Sequence, residues 1–212
     1  MVDRAVFINY RSEDSASNGA WLYTELVHYF GDEYVFLDAE SIPAGADFVE
    51  ELLRRVRSAR ILLAVIGPRW LTATDPTGRR RIDDPHDWIR RELAEAFTAG
   101  VRVIPVLADQ AELPRESDLP ADIAALSRSQ YRHLRRREPT SDLARIVADL
   151  TTLDPILARL PTAATTRHAN GRPGMRMGKS AFTLHLGRRS GSCPRIPPCS
   201  PAATTNSTGC SP

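Results

Sequence analysis

The sequence predicts an α/β fold built on a parallel sheet, from two observations. Short, continuous apolar runs alternate with segments whose apolar residues recur at i, i+4, i+7 and i+8. The runs are continuous rather than alternating, which marks strands buried on both faces. A strand–helix order repeated about five times means parallel strands in one sheet with helices on both sides.

Each element follows in turn. Residues 5–8 form the first strand and run into the polar stretch Asn9-Tyr10-Arg11-Ser12-Glu13-Asp14. Leu22, Leu26, Tyr29 and Phe30 mark the apolar face of the first helix, which Gly31 ends. Residues 34–38 are the second strand, and the loop 39–46 that follows is punctuated by Pro43 and Gly45. Phe48, Val49, Leu52, Leu53 and Val56 mark the second helix, with Arg54, Arg55 and Arg57 mostly on its wet side. Residues 61–66 are the most apolar strand and take the centre of the sheet. The loop 67–84 holds Trp70 and the run Arg79-Arg80-Arg81, and a loop of that length in a compact domain is usually functional or mobile. Asp84 is placed as the N-cap of the third helix, with Pro85 at N1 and Asp87 at N3. Ile89, Leu93, Ala96 and Phe97 face its core side, and Gly100 closes it. Residues 101–108 are the fourth strand, 109–120 a polar connection, 121–126 a short helix and 130–134 the fifth strand. Thr140, Ser141 and Asp142 cap a last helix with Leu143, Ile146, Val147, Leu150 and Leu153 on one face.

The net charge of +2 averages two unlike regions. All 26 acidic residues lie within 1–160 with 21 of the 28 basic ones, while 161–212 carries the other seven cations. The globular part is mildly acidic and offers no broad basic surface, so nucleic acid is not an expected partner. Cys193, Cys199 and Cys210 all fall in the tail, which leaves the globular part no disulfide framework and no Cys-based metal site. The histidines (His28, His86, His133, His168, His185) lack ligand spacing, so no metal is expected. The longest apolar run, 61–67, is too short to span a membrane, and no signal-peptide pattern opens the chain. A cytoplasmic protein is the default. Residues 161–212 hold seven of 16 prolines and half of 12 glycines with almost no apolar period. The reading is one domain over 3–158 and a disordered low-complexity tail over 159–212.

In an open parallel sheet, ligands sit outside the carboxyl ends of the strands, where the strand order reverses. A flavodoxin-like three-layer sandwich with order 2-1-3-4-5 puts that crevice between the first and third strands. The loops after the first three strands then bring Tyr10, Arg11, Asp38, Trp88 and Glu92 to one edge. Trp88 and Glu92 stack on one face of the third helix, beside its buried stripe. An aromatic plate one turn from a carboxylate can hold a flat ring near a negative charge. Spacing alone leaves plainer alternatives. Trp88 packs and Glu92 is solvated; Arg11 pairs on the surface with Glu13 or Asp14; Asp38 caps its loop; Tyr10 packs.

Three pieces in order carry a family resemblance. They are Val6-Phe7-Ile8-Asn9-Tyr10-Arg11, then Val35-Phe36-Leu37-Asp38 through Ile42-Pro43-Ala44-Gly45, then Asp87-Trp88-Ile89-Arg90-Arg91-Glu92. Over roughly residues 3–155 the chain resembles a Toll/interleukin-1 receptor (TIR) domain of the prokaryotic type. The pieces are similar to the family's first box, its second box or BB loop, and the Trp-x-x-x-Glu pattern of members that cleave NAD⁺. The resemblance implies Glu92 as the catalytic residue, NAD⁺ as substrate rather than cofactor, and nicotinamide with ADP-ribose or a cyclic ADP-ribose as products. It places Trp88 near the nicotinamide ribose or in the pocket wall. Arg11 would meet a phosphate, Asp38 would border the ribose, and Tyr10 would be a contact. Ile42, Pro43 and Gly45 belong to a BB loop that contacts neighbouring TIR domains. The resemblance also implies self-association on activation, a sensor or effector partner, and a role in antiphage defence. Two departures stand out: Ser12 lies where some related enzymes carry a second Arg, and the family's third box is not evident, which weakens a receptor-type adaptor role.

The implied chemistry suits a single carboxylate. The nicotinamide of NAD⁺ is already cationic and leaves as a neutral ring, so no general acid need protonate it. An oxocarbenium-like ribose remains, and a positioned anion stabilises it. The rivals are a non-catalytic TIR–TIR interaction module and other flavodoxin-like proteins. A phosphoacceptor receiver needs an acidic residue ending the third strand and a late lysine, but Gly67-Pro68 and the tail's Lys179 stand instead. Flavin binding wants a Ser/Thr/Gly-rich first loop, which residues 9–14 are not. A nucleoside-cleaving transferase with a Glu stays open until substrates are compared.

Overall fold

The computed structural model describes residues 5–37 and 48–160. Within them, β1 (Val6–Tyr10), α1 (Ser12–Phe30), β2 (Val35–Leu37), α2 (Phe48–Ser58), β3 (Ile61–Ile66), α3 (Trp88–Thr98), β4 (Arg102–Ala108), β5 (Arg132–Leu134) and α4 (Pro139–Leu153) follow in order. The sheet is parallel, with order β2-β1-β3-β4-β5 and β3 at its centre, as the sequence predicts. Expectations for Asp38, for Ile42, Pro43 and Gly45 of the BB loop, and for the tail beyond 160 lie outside the described residues.

Strand alternation divides the core in two. Phe7, Leu62, Ala64, Ile66 and Leu107 face Leu52 and Val56 of α2 and Ile89, Leu93 and Ala96 of α3. Val6, Ile8, Leu63, Val65, Ile104 and Val106 face Leu22 and Leu26 of α1 and Leu143, Ile146 and Leu150 of α4. Every residue of β3 is buried, which is why it reads as an unbroken apolar run. β5 pairs with β4 only from Val106 onward, one residue past Pro105, which has no N–H to give.

Several local expectations are corrected. β1 runs on through Asn9 and Tyr10, which pair with Ala64 and Val65 of β3. The N-cap of α3 is Asp87, whose Oδ1 accepts from the Arg90 backbone N–H at 3.3 Å. Asp84 instead closes a turn before the helix, accepting from His86 N–H at 2.8 Å. α4 starts at Pro139, and Asp142 sits inside its first turn, held by Arg135 instead of capping. The short helix expected at 121–126 is a 3-10 turn over Ala124–Arg128, and Leu153 is exposed at the end of α4.

The long connection between β3 and α3 is anchored. Trp70 and Ile82 are fully buried in the core. The Asp75 carboxylate accepts from the Thr77 N–H and hydroxyl and from the Arg79 N–H, closing a turn through Gly78 at φ 84°.

Candidate active site

Ile89, Leu93 and Ala96 seat α3 on the sheet, and that contact carries Glu92 over the carboxyl end of β1. Glu92 is fully buried. Its Oε2 accepts from Asn9 Nδ2 at 2.6 Å, and Asn9 is fully buried as well. Asn9 stands two residues after Phe7, so alternation along β1 aims both at the same face, toward α3. Sequence reasoning missed Asn9. The available signal is a polar residue in phase with Phe7, which a strand that stops at Ile8 does not include.

Arg11 is enclosed. Its Nη1 and Nη2 donate to Asp87 Oδ2 and Oδ1, each at 2.9 Å, and both side chains are 2% exposed. The two-pronged geometry suits a guanidinium–carboxylate pair. The partner is neither Glu13 nor Asp14. Arg81 Nε lies 3.4 Å from the same Asp87 Oδ2, and Arg81 Nη1 donates to Glu13 Oε1 at 2.7 Å. Asp87 thus caps α3 and ties its start to the loop after β1. Arg11, with its fork filled and its side chain enclosed, has no open face for a phosphate.

Trp88 is half-buried against the α2–α3 core, and the Arg91 guanidinium lies over its ring, 4.6 Å from the centroid. Tyr10 points to the other side of the sheet. A Cβ on Gly19 of α1 would stand 2.8 Å from Tyr10 Cγ, so the ring rests on α1 and not beside Glu92. Asp14 is pressed on the loop after β3: its Oδ1 accepts from Arg69 N–H at 2.8 Å, and a Cβ on Gly67 would come within 2.2 Å of Oδ2. The structure thus brings together Glu92, Trp88 and, through Asp87, Arg11; it sets Tyr10 apart.

Four buried polar atoms of these loops have no hydrogen-bond partner among the described residues: Asn9 Oδ1, Arg11 Nε, Asp14 Oδ2 and Trp70 Nε1. Each of these residues lies in, or close after, β1 or β3, at the carboxyl side of the sheet. Two grooves open elsewhere. One of about 280 Å³ lies at the amino end of β4 and β5, lined by Arg102, Ser129, Arg132 and Asp149 among others. The second, of about 600 Å³, lies beyond the carboxyl ends of β3 to β5, lined by Pro68, Asp109, Gln110 and residues 135–138. Glu92 lines neither. Among the described residues, no group of three or more His, Cys, Asp or Glu could hold a metal ion, and no helix is long and apolar enough to cross a membrane.

A parallel sheet of this order, with helices packed on both faces, defines a flavodoxin-like class of α/β domain. Residues 6–147 match the family model described as TIR domain, and the chain belongs to that family. It is 32% identical over 126 residues to the NAD(+) hydrolase sarm1 of Drosophila melanogaster. It is 29% identical over 126 residues to the NAD(+) hydrolase tir-1 of Caenorhabditis elegans. Each alignment takes in 58% of this chain but only 8% and 12% of those two proteins, so the chain spans a small part of their length. The TIR domains of the activated Roq1 resistosome, which directly recognises the pathogen effector XopQ, superpose with a TM-score of 0.53 at 14% identity. That match covers 69% of this chain and 99% of the other, and it shows the fold alone.

Proposed function

We propose that this TIR domain, of the prokaryotic NAD-cleaving type, breaks the nicotinamide–ribose bond of NAD⁺ with Glu92 as its catalytic carboxylate. One observation carries the reading: Glu92 lies fully buried at the carboxyl end of β1, one turn past Trp88, with its carboxylate held by Asn9. The names of the two relatives support the substrate. Nicotinamide departs neutral, and the Glu92 carboxylate stabilises the oxocarbenium-like ribose left behind. Water then gives ADP-ribose, or a hydroxyl of the same molecule closes a cyclic ADP-ribose. Trp88 forms the pocket wall. Arg11 acts through Asp87 by fixing the start of α3 instead of touching phosphate.

Complete burial means that a sugar reaches Glu92 only after covering groups move. We infer that self-association supplies that movement, ordering loops across an interface to which the BB-loop residues Ile42, Pro43 and Gly45 contribute. The proposed setting is cytoplasmic antiphage signalling, with other TIR domains and a sensor or effector protein as partners. NAD⁺ is incubated with the purified chain across a wide dilution series, and products are identified by mass. Nicotinamide release per chain that rises with concentration supports the proposal, and flat turnover removes the assembly requirement. Release of base from a deoxynucleoside, with NAD⁺ left intact, favours the transferase reading. The same burial of Glu92 also suits a second reading, a non-catalytic TIR–TIR module in which the carboxylate only braces β1 against α3. Absence of any NAD⁺ cleavage in the assembled state favours it.

A further inference from the structure

If Arg11 cannot meet the phosphates, another cation must, and the geometry points to Arg91: we propose that it is the pyrophosphate anchor of the site. This rests on the reading of the substrate as a dinucleotide. The arginines around Glu92 separate by what they already hold. Arg11 is filled by Asp87. Arg81 is taken by Glu13 and Asp87. Arg90 is held by Asp122, with Nε 3.0 Å from Oδ2, and by the Asp83 carbonyl at 2.8 Å. Arg91 is half-buried and has no carboxylate partner among the described residues; its guanidinium rests on the Trp88 ring.

Arg91 also faces the right way. At about 100° per residue, Trp88, Arg91 and Glu95 fall on one flank of α3, with Glu92 between that flank and the buried stripe. Glu95 fixes the direction of the flank, because it accepts from Arg57 of α2 at 3.1 Å. Glu95 is therefore engaged across the helix pair and does not neutralise Arg91 one turn before it. A guanidinium resting on an aromatic face keeps its N–H edge open, and that edge matches two phosphate oxygens at once. The contact with Trp88 is a modest interaction beside a charge-assisted fork on a pyrophosphate. Arg91 lies on the same turn as both Trp88 and Glu92. An anchored pyrophosphate would therefore hold the nicotinamide ribose of the same molecule close to the carboxylate.

The test measures binding apart from turnover. ADP-ribose is titrated by calorimetry into the full chain at high concentration, and into Arg91→Ala and Arg91→Lys. The proposal expects Arg91→Ala to weaken ADP-ribose at least tenfold, with Arg91→Lys between it and the parent because Lys keeps charge but loses the fork. Thermal melts and circular dichroism identify any variant that has lost its fold, in which case Arg91→Gln replaces it. In parallel, the selectivity of cleavage for NAD⁺ over nicotinamide riboside, which lacks the pyrophosphate, should fall by a similar factor in Arg91→Ala. Equal ADP-ribose affinity in parent and Arg91→Ala overturns the proposal, as does no binding by the parent. Failure of the parent to release nicotinamide overturns the catalytic reading instead, and leaves the Arg91 result legible on its own.

Discussion

The Arg11–Asp87 pair offers a worked prediction of stability, and its sense is in the order of two variants. Both side chains are 2% exposed and share two bonds of 2.9 Å. Removing one partner of such a pair strands a buried charge and costs about 3–5 kcal/mol. The two ends are not equivalent. In Arg11→Ala, Asp87 keeps Arg81 at 3.4 Å and keeps its cap on Arg90 N–H, so the loss falls near the low end, about 3 kcal/mol. In Asp87→Ala, Arg11 is left enclosed without an anion, Arg81 loses a partner, and the helix cap adds about 1 kcal/mol, for a total of about 4–6 kcal/mol. For a domain of this size that lowers Tm by about 10–20 °C. Urea and thermal unfolding at neutral pH read both values. Equal losses below about 1 kcal/mol would mean that the pair is effectively solvated, and the reverse order would refute Asp87 as the junction of cap, loop and helix.

Other outcomes follow from single contacts. Gly67→Ala puts a methyl within 2.2 Å of Asp14 Oδ2, so Asp14 must leave Arg69 N–H, and urea unfolding should show a loss of about 1–3 kcal/mol. Asn9→Ala should lower kcat for nicotinamide release more than it alters KM, since Asn9 holds the Glu92 carboxylate; a pure KM effect counts against that role. The Arg135 guanidinium holds the Asp142 carboxyl below its ordinary value, chiefly through their hydrogen bonds. A depressed carboxyl contributes stability that is whole above its unfolded pKa, about 3.9, and lost as pH falls through the lower folded value. Asp142→Asn should therefore cost most at pH 7 and progressively less below about pH 4; a cost that grows toward acid refutes the sign.

The architecture was legible because burial on both faces leaves a signature in the chain. β1, β3 and β4 carry the continuous apolar stretches that parallel strands between two helical layers show. The Trp88 and Glu92 spacing was equally open to reading, because helical period fixes which residues share a side. What lay hidden was pairing across distance. Nothing local to Arg11 marks Asp87, which is 76 residues away, and nothing in Asp84-Pro85-His86-Asp87 says which aspartate caps. Both can close an Asx-type bond, and the choice falls to the one that Arg11 holds in place. Tyr10 shows a smaller failure of the same kind. The apolar run stops at Ile8, but the pleat continues through Tyr10 and sends Asn9 toward α3 and Tyr10 toward α1.

The central claim is that the charge of Glu92, and not its bulk, breaks the glycosidic bond. Glu92→Gln isolates the charge, since the amide oxygen can still accept from Asn9 Nδ2 and the fold should survive. Nicotinamide release from NAD⁺ by the assembled protein is the measurement, with melting temperature read alongside. A fall in kcat of about 10²–10³-fold at nearly constant Tm is the predicted result; release by Glu92→Gln at the parent rate would contradict it.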